Sequence, residues 1–531
     1  MKVCKFYFKG FPRSGCLIMK RKYEQKYRAE WEQNPEFSSW LSKDKYSENA
    51  MCKACGVTFL SRIASIKSHA ETEKHQDIFN SLCQSLIDLN LNVKDILGFA
   101  ADTTNVMFGR NNSVVSKIKN VNPNCIFVKC VCHSCALSVS YACKKLPRAL
   151  DQVVKETHNY FSHSSKRKRE FVEFQEFLGS ELHNILRHYE IRWLSLHACV
   201  NRIVEQWDAL KLYFQQEHLV EHNHSATFLH ESFENKQIKL YFLFLDYILP
   251  VVNKLNVVYQ GNECNVQTIY RDISDMFKSI LSCYMKASYV RATSIEDVDP
   301  NSTVNFVEIN DLYLGVKVAK EITLLRNQSI NVTVIRDFLQ RCQSFLIELC
   351  TQIKCRLPIN ERIFYELRFM DPQIAVYENF SSLVNVTERF PNIVTDDTQK
   401  QLIDEEYRQM KYDQDVQNLM CGTSTSTVNC EQFWSKVGNI VDSQKNPKYN
   451  NLASFVKCLM CLPISNAQCE RIFSQINMVK TKYRNRFTSN HISSLLHVKQ
   501  GLTDGCTSFI PTTDMLKVNK FSNNDYTIDL E

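Results

Sequence analysis

Glycine is scarce in this chain, 12 of 531 residues, far under the average of roughly 7%. With so few turn-formers and many long amphipathic stretches, a mainly helical protein is expected. Long apolar runs are lacking as well. The longest, near Tyr241 to Val252, carries Asp246 and Pro250, so no segment is expected to cross a membrane and no membrane partner is expected. A secretory signal is also missing, because Lys9 and Pro12 interrupt the stretch that would have to be apolar. The chain is therefore expected to stay in a reducing compartment, with its 22 cysteines as thiols or metal ligands. Most of them read as small core hydrophobes. No internal repeat is seen.

What is present begins with charge. The net charge is +7, and residues 1–35 hold nine basic side chains against three acidic ones. This basic, aromatic-interleaved arm, with Lys20, Arg21 and Lys22 at its centre, suits contact with DNA phosphates or nuclear import. A solvated tail is the other reading. Lys166-Arg167-Lys168-Arg169 is a second import-like cluster.

Residues 36–80 form a cysteine and histidine module. Cys52, Cys55, His69 and His75 follow the spacing C-x2-C-x13-H-x5-H. Zinc takes four such ligands in a tetrahedron, two from a knuckle and two from a helix. Ser68 to Lys74 is the expected ligand helix, and Phe59 and Ile66 the expected small core. So small a unit does not fold on apolar burial alone, whereas structural zinc contributes on the order of 10 kcal/mol.

Two apolar stretches of strand length come next. Ile96 to Ala101 ends on Asp102, and Cys125 to Cys132 follows after a short helix predicted over Ser113 to Val121. This strand–helix–strand unit should pair its strands in parallel with a right-handed crossover. Asp102 then lies at the C-terminal edge, where open α/β sheets place their chemistry, although a turn-forming Asp is common there too. Cys130 and His133 close the second strand as a packed pair, too few ligands for a metal. Residues 145–415 read as helices, with loops at 292–305, which contains Pro300, and at 422–429. A last helical block covers 431–502, before a polar tail. Within it Ser465 or Asn466 caps a helix whose apolar stripe is Cys469, Ile472, Phe473, Ile476 and Val479, with Glu470 at its border.

Four stretches, Gly98 to Gly109, Cys130 with His133, Ile191 to Leu196 (which holds Arg192 and Trp193), and Ser465 to Ser474, occur in the order seen in hAT transposases, which the chain resembles over roughly residues 20–505. The module at Cys52 resembles the BED-type fingers that precede them. The resemblance implies a mainly α protein with a truncated RNase H-like α/β core at 81–144, interrupted by a helical insertion at 145–435. A dimerisation region at 436–505 and a tail at 506–531 complete it. It further implies two Asp and one Glu holding two Mg²⁺ ions. Asp102 matches the second Asp and Glu470 the Glu.

The family's first Asp has no counterpart. It belongs to a strand upstream of Asp102, with two more strands between, and only residues 76–101 separate His75 from Asp102. Three strands and a helix do not fit there. Phe79 to Asp95 reads instead as a helix with Leu82, Leu86 and Leu89 on one face. The strand ending at Asp102 should then show an unpaired edge, covered by helices or a partner chain, unless this is a shortened form of a longer product. The expected function is a nuclear, zinc-dependent, DNA-binding dimer of one or two hAT-related chains, derived from a transposase and catalytically inactive. The alternatives are an active hAT transposase requiring Mg²⁺, and a scaffold that acts through protein contacts.

Overall fold

The structure is a computed structural model that describes residues 26–517, other than 35–36, 39–40, 45–46, 54–57, 67–73, 110–112, 188–193, 222, 262–264, 329–330, 379–381, 422–427, 482–483 and 503–506. The fold is mostly helical, as the scarcity of glycine predicts. The chain divides into two compact units, one of residues 24–467 and one that includes the residues from Gln468 onward.

Near the amino end, β1 (Leu41–Lys43), β2 (Ala50–Cys52) and β3 (Thr58–Phe59) form an antiparallel sheet in that order. Leu41 lies opposite Cys52, and Ala50 opposite Phe59. Phe37, Leu41, Ala50 and Ile66 are fully buried together, with Tyr27 and Trp31 packed against them. Ile66 thus takes its expected place in a small core. The expected ligand helix at Ser68 to Lys74 falls largely on residues outside the description.

Helix α1 (Lys74–Asp88) follows. It ends earlier than its leucine spacing predicts. Asn90 takes a positive φ of 58°, a left-handed conformation that Asn tolerates and that stops a helix. Leu82 and Leu86 pack inward, whereas Leu89, past the end, is exposed.

The strand–helix–strand unit is present. β4 (Gly98–Ala101) pairs in parallel with β5 (Ile126–Lys129), Ala101 opposite Lys129. Between them runs α2 (Val114–Val121), its end capped by Ser113, whose Oγ accepts from the Ser116 N–H at 3.0 Å. Val93, Val114, Ile118 and Cys125 form a core that α1 covers with Phe79, Leu82 and Leu86. Among the described residues β4 pairs only with β5. The second strand is shorter than expected: it stops at Lys129, and Val131 already begins α3 (Val131–Cys143). Cys132 and His133 are therefore helical, not part of a strand.

The helical body includes α4 (Ala149–Ser162), α5 (Ser165–Phe177), α6 (Leu194–Glu205), α7 (Trp207–Glu221), α8 (Lys236–Gln260) and α9 (Val332–Arg356). α3 packs chiefly on α9, and α8 runs between α3, α6 and α9. The apolar run at Tyr241 to Val252 sits in α8, which is longer than the run alone suggests. By length and composition α8 is able to cross a membrane, yet over half of its most apolar window is buried inside the protein. Leu240, Phe242, Phe244 and Ile248 are at most 1% exposed. Asp246 is held by Lys317 at 2.8 Å and by Asn201 at 3.0 Å. These are the features of a central core helix.

The cysteines behave largely as packing residues. Cys125, Cys135, Cys199, Cys342 and Cys350 are buried. Burial pushes the thiols of Cys125 and Cys199 up to about 11, so neither supplies a thiolate near neutrality.

Candidate functional site

The parallel register decides which motif residues meet. Because Ala101 stands opposite Lys129, the next residues, Asp102 and Cys130, leave the sheet side by side at its C-terminal edge. The Cys130 N–H donates to the Ala101 carbonyl at 2.8 Å. A third motif arrives from far along the chain. The Val131 N–H donates to the Ile464 carbonyl at 3.2 Å, and the Asn466 N–H donates to Cys130 Sγ at 3.5 Å. Ser465 Oγ donates to the Tyr259 carbonyl at the end of α8 at 2.7 Å. The segment 462–466 is thereby tied to the strand ends. Gly98 makes this approach possible: a Cβ there would come within 2.9 Å of both Leu462 and the Pro463 ring.

Asp102 is half-buried. Its Oδ1 accepts from Thr104 Oγ1 at 2.7 Å and from the Thr104 N–H at 3.4 Å. That is the work of a turn-forming Asp, and it occupies one carboxylate oxygen. Cys130 is 1% exposed, and His133 lies half-buried in the first turn of α3. Beyond the docked segment, α12 is preceded in the same block by α10 (Cys430–Val437) and α11 (Asn450–Met460), α12 being Ala467–Val479 and followed by α13 (Ser489–Gly501). Glu470 lies in the first turn of α12 and is exposed. Asp102 and Glu470 belong to different units. The stripe expected on α12 is only partly covered: Cys469 and Phe473 are exposed, while Ile472, Ile476 and Val479 are half-buried.

Of the expected zinc ligands, Cys52 ends β2 and is buried, 2% exposed. Cys55 and His69 lie outside the described residues. His75 belongs to the first turn of α1, and its side chain lies outside the description. Arg192, Trp193, Lys20, Arg21 and Lys22 also lie outside the described residues.

Several residues that sequence alone did not single out hold the strand ends in place. Asn122, 3% exposed, donates from Nδ2 to the carbonyls of Val93, Lys94 and Ile96 at 2.9–3.1 Å. It fixes the chain just before β4. Arg389 donates to the Asn124 carbonyl at 2.7 Å and Asn392 to the Lys94 carbonyl at 2.6 Å. All are contacts between distant parts of the chain, which leave no local pattern in the sequence. A further cluster, Glu181, His183 and Glu205, lies apart from these motifs. His183 Nδ1 is 2.6 Å from Glu205 Oε1, and Arg202 Nε is 3.0 Å from Glu205 Oε2.

Residues 432–502 match the family model of the hAT family C-terminal dimerisation region. In the structure this stretch runs from α10 to α13. Trp434 anchors its start: it is fully buried, and its Nε1–H donates to the Met370 carbonyl at 2.7 Å. The match supports an hAT-family, transposase-derived protein that dimerises, with a second copy of itself or with an hAT-related chain.

Proposed function

We propose that this chain is a nuclear, transposase-derived protein of the hAT family that binds DNA through an amino-terminal zinc module, dimerises through its carboxy-terminal region and does not catalyse transposition. The observation that carries the proposal is the match to the hAT dimerisation region, in a chain whose earlier motifs meet at one strand edge.

Two thiols and two imidazoles at Cys52, Cys55, His69 and His75 are a donor set that fits zinc. The ion would supply the folding energy that a core as small as the one described around Phe37, Leu41, Ala50 and Ile66 lacks. The module would then read base edges with its helix, and the basic arm would contact phosphates. Dimerisation places two such modules on one duplex and sets the distance between half-sites.

For two Mg²⁺ ions the fit is poor. The only carboxylates matched to the family are Asp102 and Glu470. One oxygen of Asp102 is committed to Thr104, and among the described residues no further strand pairs with β4 to bring a third carboxylate. No catalytic step is derived from so incomplete a set.

Selection of bound sequences from random duplex DNA by the purified full-length chain tests the proposal. Specific retention should be present with zinc and lost in the Cys52→Ser/Cys55→Ser variant. Retention that survives that substitution removes the zinc module as the reader. Sedimentation that gives a monomer at every concentration removes the dimer.

A further inference from the structure

The residues from Arg471 to Leu502 include six lysines and arginines and no aspartate or glutamate. Many cations of the body are neutralised within the chain. Lys317 holds Asp246 at 2.8 Å, Arg362 holds Glu366 at 2.8 Å, and Lys448 holds Asp413 at 2.9 Å. Lys480, Arg484 and Arg486 differ. They lie between the end of α12 and the start of α13, all three are exposed, and none forms an ion pair among the described residues.

Local structure gives no reason for cations there. Thr488 caps α13, its Oγ1 accepting from the His491 N–H at 3.4 Å, so Arg486 stands just before the positive end of the helix dipole, where a cation is disfavoured. Lys499, in the last turn of α13, complements the negative end and is explained by it. Dimerisation does not ask for the three cations either. The exposed apolar residues of the same two helices, Phe473, Met478, Leu495 and Val498, suit a contact between chains. Like charges gathered without counter-charges repel one another, and an anion from outside the chain removes that cost.

We propose that Lys480, Arg484 and Arg486 contact the phosphate backbone of duplex DNA. Three cations in one short connection match a polyanion better than a single carboxylate. Duplex DNA carries a charge every 1.7 Å or so along its axis, and the counterions released on contact drive association. The planar guanidinium groups of Arg484 and Arg486 suit two-point contact with phosphate oxygens. Such a contact reads no sequence, because phosphates carry none. A dimer presents it twice. The inference rests on the DNA-binding part of the proposed function and not on its zinc module.

The test uses the full-length Cys52→Ser/Cys55→Ser chain and a fluorescent duplex of arbitrary sequence, with affinity read by anisotropy over a series of salt concentrations. Binding that weakens as salt rises is expected. Adding Lys480→Gln, Arg484→Gln and Arg486→Gln should lower the slope of log affinity against log salt by about 2–3 per chain. Binding should weaken on the order of a hundredfold at about 0.1 M salt. Neutralising three exposed cations of the body instead, Lys320→Gln, Arg326→Gln and Arg336→Gln, changes the net charge equally and should leave the slope as it was. The first triple variant should sediment as its parent does. Failure of the zinc reading shows separately, as a wild-type chain that selects no sequence. A parent that binds no duplex, an unchanged slope in the first triple variant or an equal loss in the second overturns the proposal. So does altered sedimentation, which places these cations in a contact between chains, or equally tight binding of polyglutamate, which points to an acidic protein partner.

Discussion

The amino-terminal module and the helical body solve the same problem at different scales. Among the described residues, the module buries Phe37, Leu41, Ala50 and Ile66 together. The body buries one continuous core that runs from Ile126 to Ile464. Folding must offset a conformational cost that grows with every residue ordered, and apolar burial returns about 25 cal/mol per Å². A core so small cannot carry three strands and their loops on those terms; one spread over many helices can. The difference teaches where the chain depends on something outside itself. The body folds by its own packing, and on the proposed reading the module depends on zinc.

Breaking that comparison at the metal should produce the largest effect. Cys52→Ser removes a proposed zinc ligand and with it stabilisation on the order of 10 kcal/mol, so the module should unfold while the body remains. Thermal unfolding of the full chain should keep its main transition, and proteolysis should become rapid at 36–80 alone. A main transition that falls with the substitution shows that module and body fold as one.

The next effect belongs to the body. Phe338 is fully buried in α9, its ring 5.0 Å from that of Tyr241 in α8. Phe338→Ala should cost about 3–5 kcal/mol, read as a lowered midpoint of urea unfolding, with zinc content and DNA retention unchanged. A smaller loss is expected at Asn122. Asn122→Ala leaves the carbonyls of Val93, Lys94 and Ile96 without their shared donor, at a cost of about 1–3 kcal/mol. Faster hydrogen exchange confined to β4 and the residues before it would sharpen the point that Asn122 holds this strand.

How much of this was legible in the sequence follows from the range of the forces. Elements set by local pattern were legible: the strand at Ile96 to Ala101, the helix after Ser113, the helices beyond residue 145. The spacing of Cys52, Cys55, His69 and His75 reads as a proposed zinc site because zinc restricts ligand types and separations. Two boundaries were not. Leu89 keeps the helical spacing of Leu82 and Leu86, but Asn90 turns the chain first. Cys130-Val131-Cys132 has strand composition, yet α3 begins at Val131 because its apolar residues face α9 and α8. The candidate site was legible as motifs and not as a place. Nothing local says that the Asn466 N–H reaches Cys130 Sγ, or that Gly98 is small so that Leu462 and Pro463 come close.

The smallest effect should come from the residue that most resembles a catalytic one. Asp102 accepts from Thr104 at the end of β4, so Asp102→Ala should cost about 0.5–1.5 kcal/mol, the worth of an ordinary hydrogen bond, and leave DNA retention intact. Purified wild-type protein should give no strand cleavage with Mg²⁺ or Mn²⁺, because a two-metal mechanism needs carboxylates that bridge both ions, and only Asp102 and Glu470 match. The comparison between module and body then extends to function, with recognition in the module and a scaffold in the body. Cleavage by the wild type that is lost in both Asp102→Ala and Glu470→Ala reverses that division. A third carboxylate would then have to come from elsewhere, in this chain or in a partner chain, and the same cleavage assay on acidic-residue variants would find it.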